Sequence, residues 1–136
     1  MNKFDFQEET VIKELQSKKI KKALLQLPEG LKQEAVRLVN YFESKTDTEV
    51  FVSGETCWGG CDLSLEEAHI LDVDLLIHYG HAPFIKKVDF PILYIEIKDT
   101  TPILDLLKEA VKPLKNYKKI GLVASVQHIH QLEETK

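Results

Sequence analysis

Apolar positions along this chain switch between two periods, and the switches mark out its elements. Over residues 7–18 they fall at Val11, Ile12 and Leu15, on one face of a helix. Ala23-Leu24-Leu25-Gln26-Leu27 is a short apolar run stopped by Pro28, which reads as a buried strand. After Gly30 a helical stripe follows through Leu31, Ala35, Leu38, Val39 and Phe42. Glu49 to Ser53 reads as the next strand, closed by Gly54, and a loop runs from Glu55 to Asp62. Ser64-Leu65-Glu66-Glu67 has the form of a capping box and opens a short helix through Leu71.

Asp74 to His78 reads as a third strand ending in Tyr79-Gly80-His81, and Ile92 to Ile97 as a fourth. Thr101-Pro102 predicts a helix start, with Thr101 as cap and the proline in the first turn. Its apolar face is Leu104, Leu107, Ala110 and Val111, and Pro113 stops it. Lys118 to Ser125 reads as a fifth strand, and the segment from Gln127 as the beginning of a helix. Strands alternating with helices predict a three-layer α/β fold, Rossmann-like or flavodoxin-like, with a mainly parallel sheet and right-handed crossovers. Ligands of such sheets sit at the carboxyl ends of the strands. The Cys loop after Ser53, the His78–His81 turn and the Gln127–His130 segment all fall there.

Composition narrows the function classes. With 136 residues, 43% apolar and 29% charged, the chain is long enough to bury a core without disulfides. A net charge of −4 and scattered lysines argue against nucleic-acid binding. No apolar run approaches the roughly 20 residues of a membrane span, and the N-terminus lacks a signal-peptide pattern. These features predict a cytoplasmic protein, where two cysteines serve as free thiols or metal ligands rather than as a disulfide.

Cys57 and Cys61 stand four apart in a loop containing Gly59-Gly60, which permits positive φ and close backbone approach. Such a loop can wrap an iron–sulfur cluster, but two thiols fall short of the three or four ligands that a cluster or structural zinc needs. Spacing alone fits equally well two small semi-buried residues in a tight turn. His78 and His81 read either as a pocket lining or a proton donor close to such a centre, or, the more frequent case for two histidines, as one capped by backbone and one solvated. Trp58 either covers the loop or belongs to the core. His128 and His130 carry no assignment.

The stretch Gly54-Glu55-Thr56-Cys57-Trp58-Gly59-Gly60-Cys61-Asp62-Leu63 closely resembles the Cys-aromatic-small-small-Cys-Asp loop of the archaeal diphthamide synthases, the 2-(3-amino-3-carboxypropyl)histidine synthases. Leu27-Pro28-Glu29-Gly30-Leu31, His78-Tyr79-Gly80-His81 and Gly121 to His128 are similar to three further segments of that family, in the same order. The resemblance implies a fold of three similar α/β domains, each giving one cysteine to a single 4Fe-4S cluster. It implies that the cluster binds and reductively cleaves S-adenosylmethionine, and that the resulting 3-amino-3-carboxypropyl radical adds to a histidine of translation elongation factor 2. The archaeal enzymes resembled act as homodimers.

By this resemblance Cys61 is the first-domain metal ligand, Cys57 receives no ligand role, and His78 and His81 line the cofactor site. Residues 1–116 correspond to the first domain and 117–136 to the start of a second, truncated one. The other two cluster cysteines have no counterpart, so the chain alone is expected to be inactive. A different reading of the sequence is a non-catalytic α/β binding or assembly module. A thiol redox protein ranks lower, because its Cys-x-x-Cys pair belongs at a helix N-terminus, whereas Cys61 precedes Ser64 by three residues.

Overall fold

A computed structural model describes residues 3–135. They form two compact units, one of residues 7–96 and one that joins residues 3–6 to 97–135.

The larger unit carries a four-stranded, wholly parallel sheet. Helix α1 (Glu8–Ser17) leads into β2 (Lys22–Gln26), numbered after β1 (Phe4–Asp5) of the other unit. A 3-10 turn (Glu29–Glu34) and helix α2 (Ala35–Lys45) follow, then β3 (Glu49–Val52), α3 (Leu65–Ile70), β4 (Leu75–Tyr79) and β5 (Ile92–Ile95). The strand order is β3-β2-β4-β5. The chain thus moves one way from β2 to β3 and the other way from β3 to β4. Right-handed crossovers therefore send α2 and α3 to opposite faces.

The register shows what each face holds. Leu24 lies between Phe51 and Leu76, and Leu76 pairs with Ile92. This row packs with Ala68, Val73 and Leu65 on the α3 side. Ala23, Leu25, Leu75 and Ile77 alternate to the other face and are buried. On that face Val11, Ile12 and Leu15 of α1 and Leu38 and Phe42 of α2 are buried. The two helices are also tied by Arg37 to Glu8 and Tyr41 to Glu9, each at 2.8 Å.

The smaller unit pairs β1 antiparallel with β6 (Lys98–Asp99). Helix α4 (Leu104–Val111) runs into a 3-10 turn, Lys112–Leu114, that contains Pro113, and a second 3-10 segment covers Ile129–Thr135.

Three local expectations need correction. The capping box does not form: Ser64 spends its hydroxyl on Ser53 (2.7 Å) and Glu67 accepts the N–H of Gly54 (3.1 Å), so both side chains brace the loop instead of the helix. Thr101 is not a cap either: the helix starts only at Leu104, Ile103 holds the cap position, and the Thr101 N–H is bonded to the Asp99 carboxylate at 2.8 Å. Lys118–Ser125 is not a strand. Its β-branched apolar run has the right propensity, but a strand exists only by pairing, and among the described residues none pairs with it. Val123 is 92% exposed.

Candidate functional site

Two residues beyond the apolar row Leu24–Leu76–Ile92, on the same face, the register brings Gln26, His78 and Tyr94 side by side. The α3 face of the sheet therefore turns polar at its carboxyl edge. Gln26 and His78 are fully buried there, so their polar atoms need partners. Gln26 Nε2 donates to the carbonyl of Asp62 at 2.7 Å, which fixes the amide's orientation and leaves Oε1 as acceptor. That oxygen takes the backbone N–H of Ser64 at 3.3 Å and faces His78 Nδ1 at 2.7 Å. His78 therefore carries its proton on Nδ1 and presents the lone pair of Nε2. Nε2 meets Nδ1 of His81 at 3.3 Å, and the same His81 atom lies 3.9 Å from Cys57 Sγ.

Electrostatics keep this group uncharged near neutral pH. Burial, reinforced by the neighbouring His81, depresses His78 to about 4. Burial lowers His81 as well, against the pull of Asp62. Burial and the Asp62 carboxylate push the Cys57 thiol up to about 11. Neither histidine is backbone-capped or simply solvated. His78 is oriented by a glutamine and His81 is half-buried beside it.

The Cys loop is braced from both ends. Lys32, which follows the Pro28–Leu31 turn, donates to the Glu55 carbonyl at 2.8 Å. The Trp58 N–H bonds Asp62 Oδ2 at 3.1 Å, and Asp62 N–H closes a turn on Gly59 O at 3.0 Å. Gly60 makes the close approach that the paired glycines allow: a Cβ there would stand 2.2 Å from the carbonyl oxygen of Ala82. The positive φ falls at Gly80 (85°), where the strand turns between the two histidines. Both cysteines are free, Cys57 buried and Cys61 exposed. Trp58 neither covers the loop nor joins the core, since it is 76% exposed. Gln127–His130 belongs to the other unit, where the Gln127 carbonyl accepts the Asp99 N–H at 3.0 Å.

So the Cys loop and the His78–His81 turn meet, with Cys57 rather than Cys61 as the thiol beside the imidazoles. Gln26 and Asp62 went unassigned in the sequence. The signal for Gln26 was one polar residue inside an otherwise apolar strand run.

The family model for putative diphthamide synthesis proteins matches residues 27–136. The chain belongs to the diphthamide synthesis protein family. Relatives are named 2-(3-amino-3-carboxypropyl)histidine synthase. That of Pyrococcus horikoshii is 35% identical over 127 residues, covering 93% of this chain and 37% of the relative. That of Methanocaldococcus jannaschii is 34% identical, with 96% and 43% covered. Subunit 1 of the human enzyme is 33% identical, with 96% and 31% covered. The chain thus spans well under half the length of these curated relatives. A crystal structure of Dph2 from Pyrococcus horikoshii with a 4Fe-4S cluster matches with a TM-score of 0.85 at 34% identity, covering 96% of this chain and 39% of that one. The likeness extends to the parallel-sheet α/β fold. Among the described residues, no helix is long and apolar enough to cross a membrane.

Proposed function

We propose that this chain is the N-terminal part of a 4Fe-4S, S-adenosylmethionine-dependent 3-amino-3-carboxypropyl transferase that modifies a histidine of translation elongation factor 2, the first step of diphthamide biosynthesis. Cys61 carries the reading: a free, exposed thiol on a braced glycine turn at the carboxyl edge of the sheet, in a chain of this family. The donor set fits one corner of a cluster. The sequence holds no cysteine besides Cys57 and Cys61, so the remaining ligands lie outside these residues. Under this reading residues 1–116 are the first domain, 117–136 open a second, and the enzyme works as a cytoplasmic homodimer.

When bound, the cluster supplies the electron that cleaves a carbon–sulfur bond of S-adenosylmethionine. The residues of this chain would do three things. Cys61, as thiolate, holds one iron. The Gly59-Gly60 turn lets backbone come close to that centre. His78, oriented by Gln26, and His81 beside it line the cofactor site.

Anaerobic reconstitution followed by iron analysis and EPR tests the proposal. Residues 1–136 alone should assemble no intact four-iron cluster and show no transfer. In the longer protein, Cys61→Ala should lose iron and product formation together, whereas Cys57→Ala should keep both and cost on the order of 1 kcal/mol of stability. Cluster loss in Cys57→Ala with retention in Cys61→Ala would overturn the assignment.

A further inference from the structure

Cys57 is the thiol that the proposed function leaves unused, and it is the one that faces two imidazoles. Cys57, His78 and His81 bring one ligand atom each to within 4.8 Å of one another. We propose that Cys57 Sγ, His78 Nε2 and His81 Nδ1 form a mononuclear site for a borderline-soft divalent cation of the zinc type, separate from Cys61.

The spacing supports this. Zinc–nitrogen bonds of about 2.05 Å and zinc–sulfur bonds of about 2.3 Å, set at tetrahedral angles, put nitrogen about 3.3 Å from nitrogen and about 3.6 Å from sulfur. The observed separations are 3.3 Å between the imidazoles and 3.9 Å between His81 and the thiol, with all three ligand atoms within 4.8 Å of one another, so shifts of up to about 1 Å would close the cage. The second observation is the support behind the ligands. Metal-binding histidines donate their other ring N–H to a fixed acceptor, which sets tautomer and orientation. His78 does this to Gln26, and Gln26 is itself locked by Asp62 and Ser64. A Cys/His/His set suits zinc or cobalt rather than magnesium or calcium, and it leaves a fourth position for water or a ligand.

Binding requires two proton movements. Cys57 gives its thiol proton to solvent and coordinates as thiolate. His81 coordinates through Nδ1 and carries its proton on Nε2. Without an ion the Cys57 thiol stays protonated near neutral pH, so uptake of the ion should be accompanied by proton release.

The test uses the reduced, metal-free chain, titrated with zinc chloride against a chromophoric chelator and separately with cobalt chloride. One ion per chain is expected, with a thiolate-to-cobalt charge-transfer band and tetrahedral d–d bands. Cys57→Ser should remove the charge-transfer band, and both it and His81→Ala should weaken zinc binding at least about tenfold. Cys61→Ser should change neither. Circular dichroism checks the fold of each variant, and His81→Ala, at a half-buried position, decides the matter if Cys57→Ser does not fold. No stoichiometric binding by the wild type, full affinity in His81→Ala, or loss of the band in Cys61→Ser would each overturn the proposal. Because the site uses no atom of Cys61, its failure leaves the iron-ligand reading intact.

Discussion

Three polar contacts of the site converge on one side chain, Gln26, and it is the only polar residue between Ala23 and Leu27. Gln26→Leu would keep most of its volume but strand the His78 Nδ1–H, the Ser64 N–H and the Asp62 carbonyl. Unsatisfied buried groups cost about 1–3 kcal/mol each when no water reaches them. The variant should therefore lose about 3 kcal/mol or more in urea unfolding, and a loss below about 1 kcal/mol would show that water replaces the amide. The paired glycines make a sharper comparison. At Gly59 a methyl group would meet Cys61 Sγ at 3.6 Å, ordinary contact, whereas at Gly60 it would meet the Ala82 carbonyl at 2.2 Å. Gly60→Ala should destabilise by about 1–3 kcal/mol and displace the Cys loop from the histidine turn, while Gly59→Ala stays within about 1 kcal/mol of the parent. Equal losses in the two unfolding curves would contradict the close approach at Gly60.

At the level of elements, strand identity followed from apolar runs, but the use of polar side chains did not. The four parallel strands were legible because each is a short apolar run bounded by breakers, and burial on two faces selects such runs. Ser64 and Glu67 matched a capping signature, yet the fold assigns them to Ser53 and Gly54, partners eleven and thirteen residues away that no local pattern encodes. Asp74 is a comparable case: it reads as the first residue of β4, and in the structure its carboxylate accepts the N–H groups of Lys21 (2.8 Å) and Lys22 (2.9 Å), pinning the start of β4 beside β2. Those N–H groups, Lys22 first, hold the Asp74 carboxyl below its ordinary value of 3.8. A carboxyl depressed on folding stabilises above its unfolded pKa, and the gain is lost as pH falls through the folded value. Wild type and Asp74→Asn should thus differ most in urea midpoint at about pH 6 and converge as pH falls below the ordinary value of 3.8. A gap that stays constant across that range would rule out the carboxylate's charge as its source.

Across the whole molecule, burial divides the chain as unevenly as function does. Gln26, Cys57, Cys61, His78 and His81 all lie in the unit of residues 7–96, and β4 is buried at every position. Between residues 100 and 133 no side chain is buried, and the apolar face of α4, legible as Leu104, Leu107, Ala110 and Val111, stays largely exposed, with only Leu107 half-buried. The sequence could announce that face and the apolar run after Lys118, because propensity is local. It could not announce whether anything packs on them, because burial depends on partners remote in the chain. Local stability follows packing, so amides open with free energies that rise with the buried contacts around them. Hydrogen exchange read by mass spectrometry should find the slowest amides at Leu24, Leu25, Leu76 and Ile77, where each strand has a neighbour on both sides. The amides of α4 should exchange orders of magnitude faster, at rates set by fraying of a short helix rather than by global unfolding. A site built on slow-exchanging strands keeps its donors in register whatever residues 97–135 do. Protection of α4 equal to that of β4 in these 136 residues would mean that the helix is packed, and that the division of the chain into a stable site-bearing unit and a loosely held one is wrong.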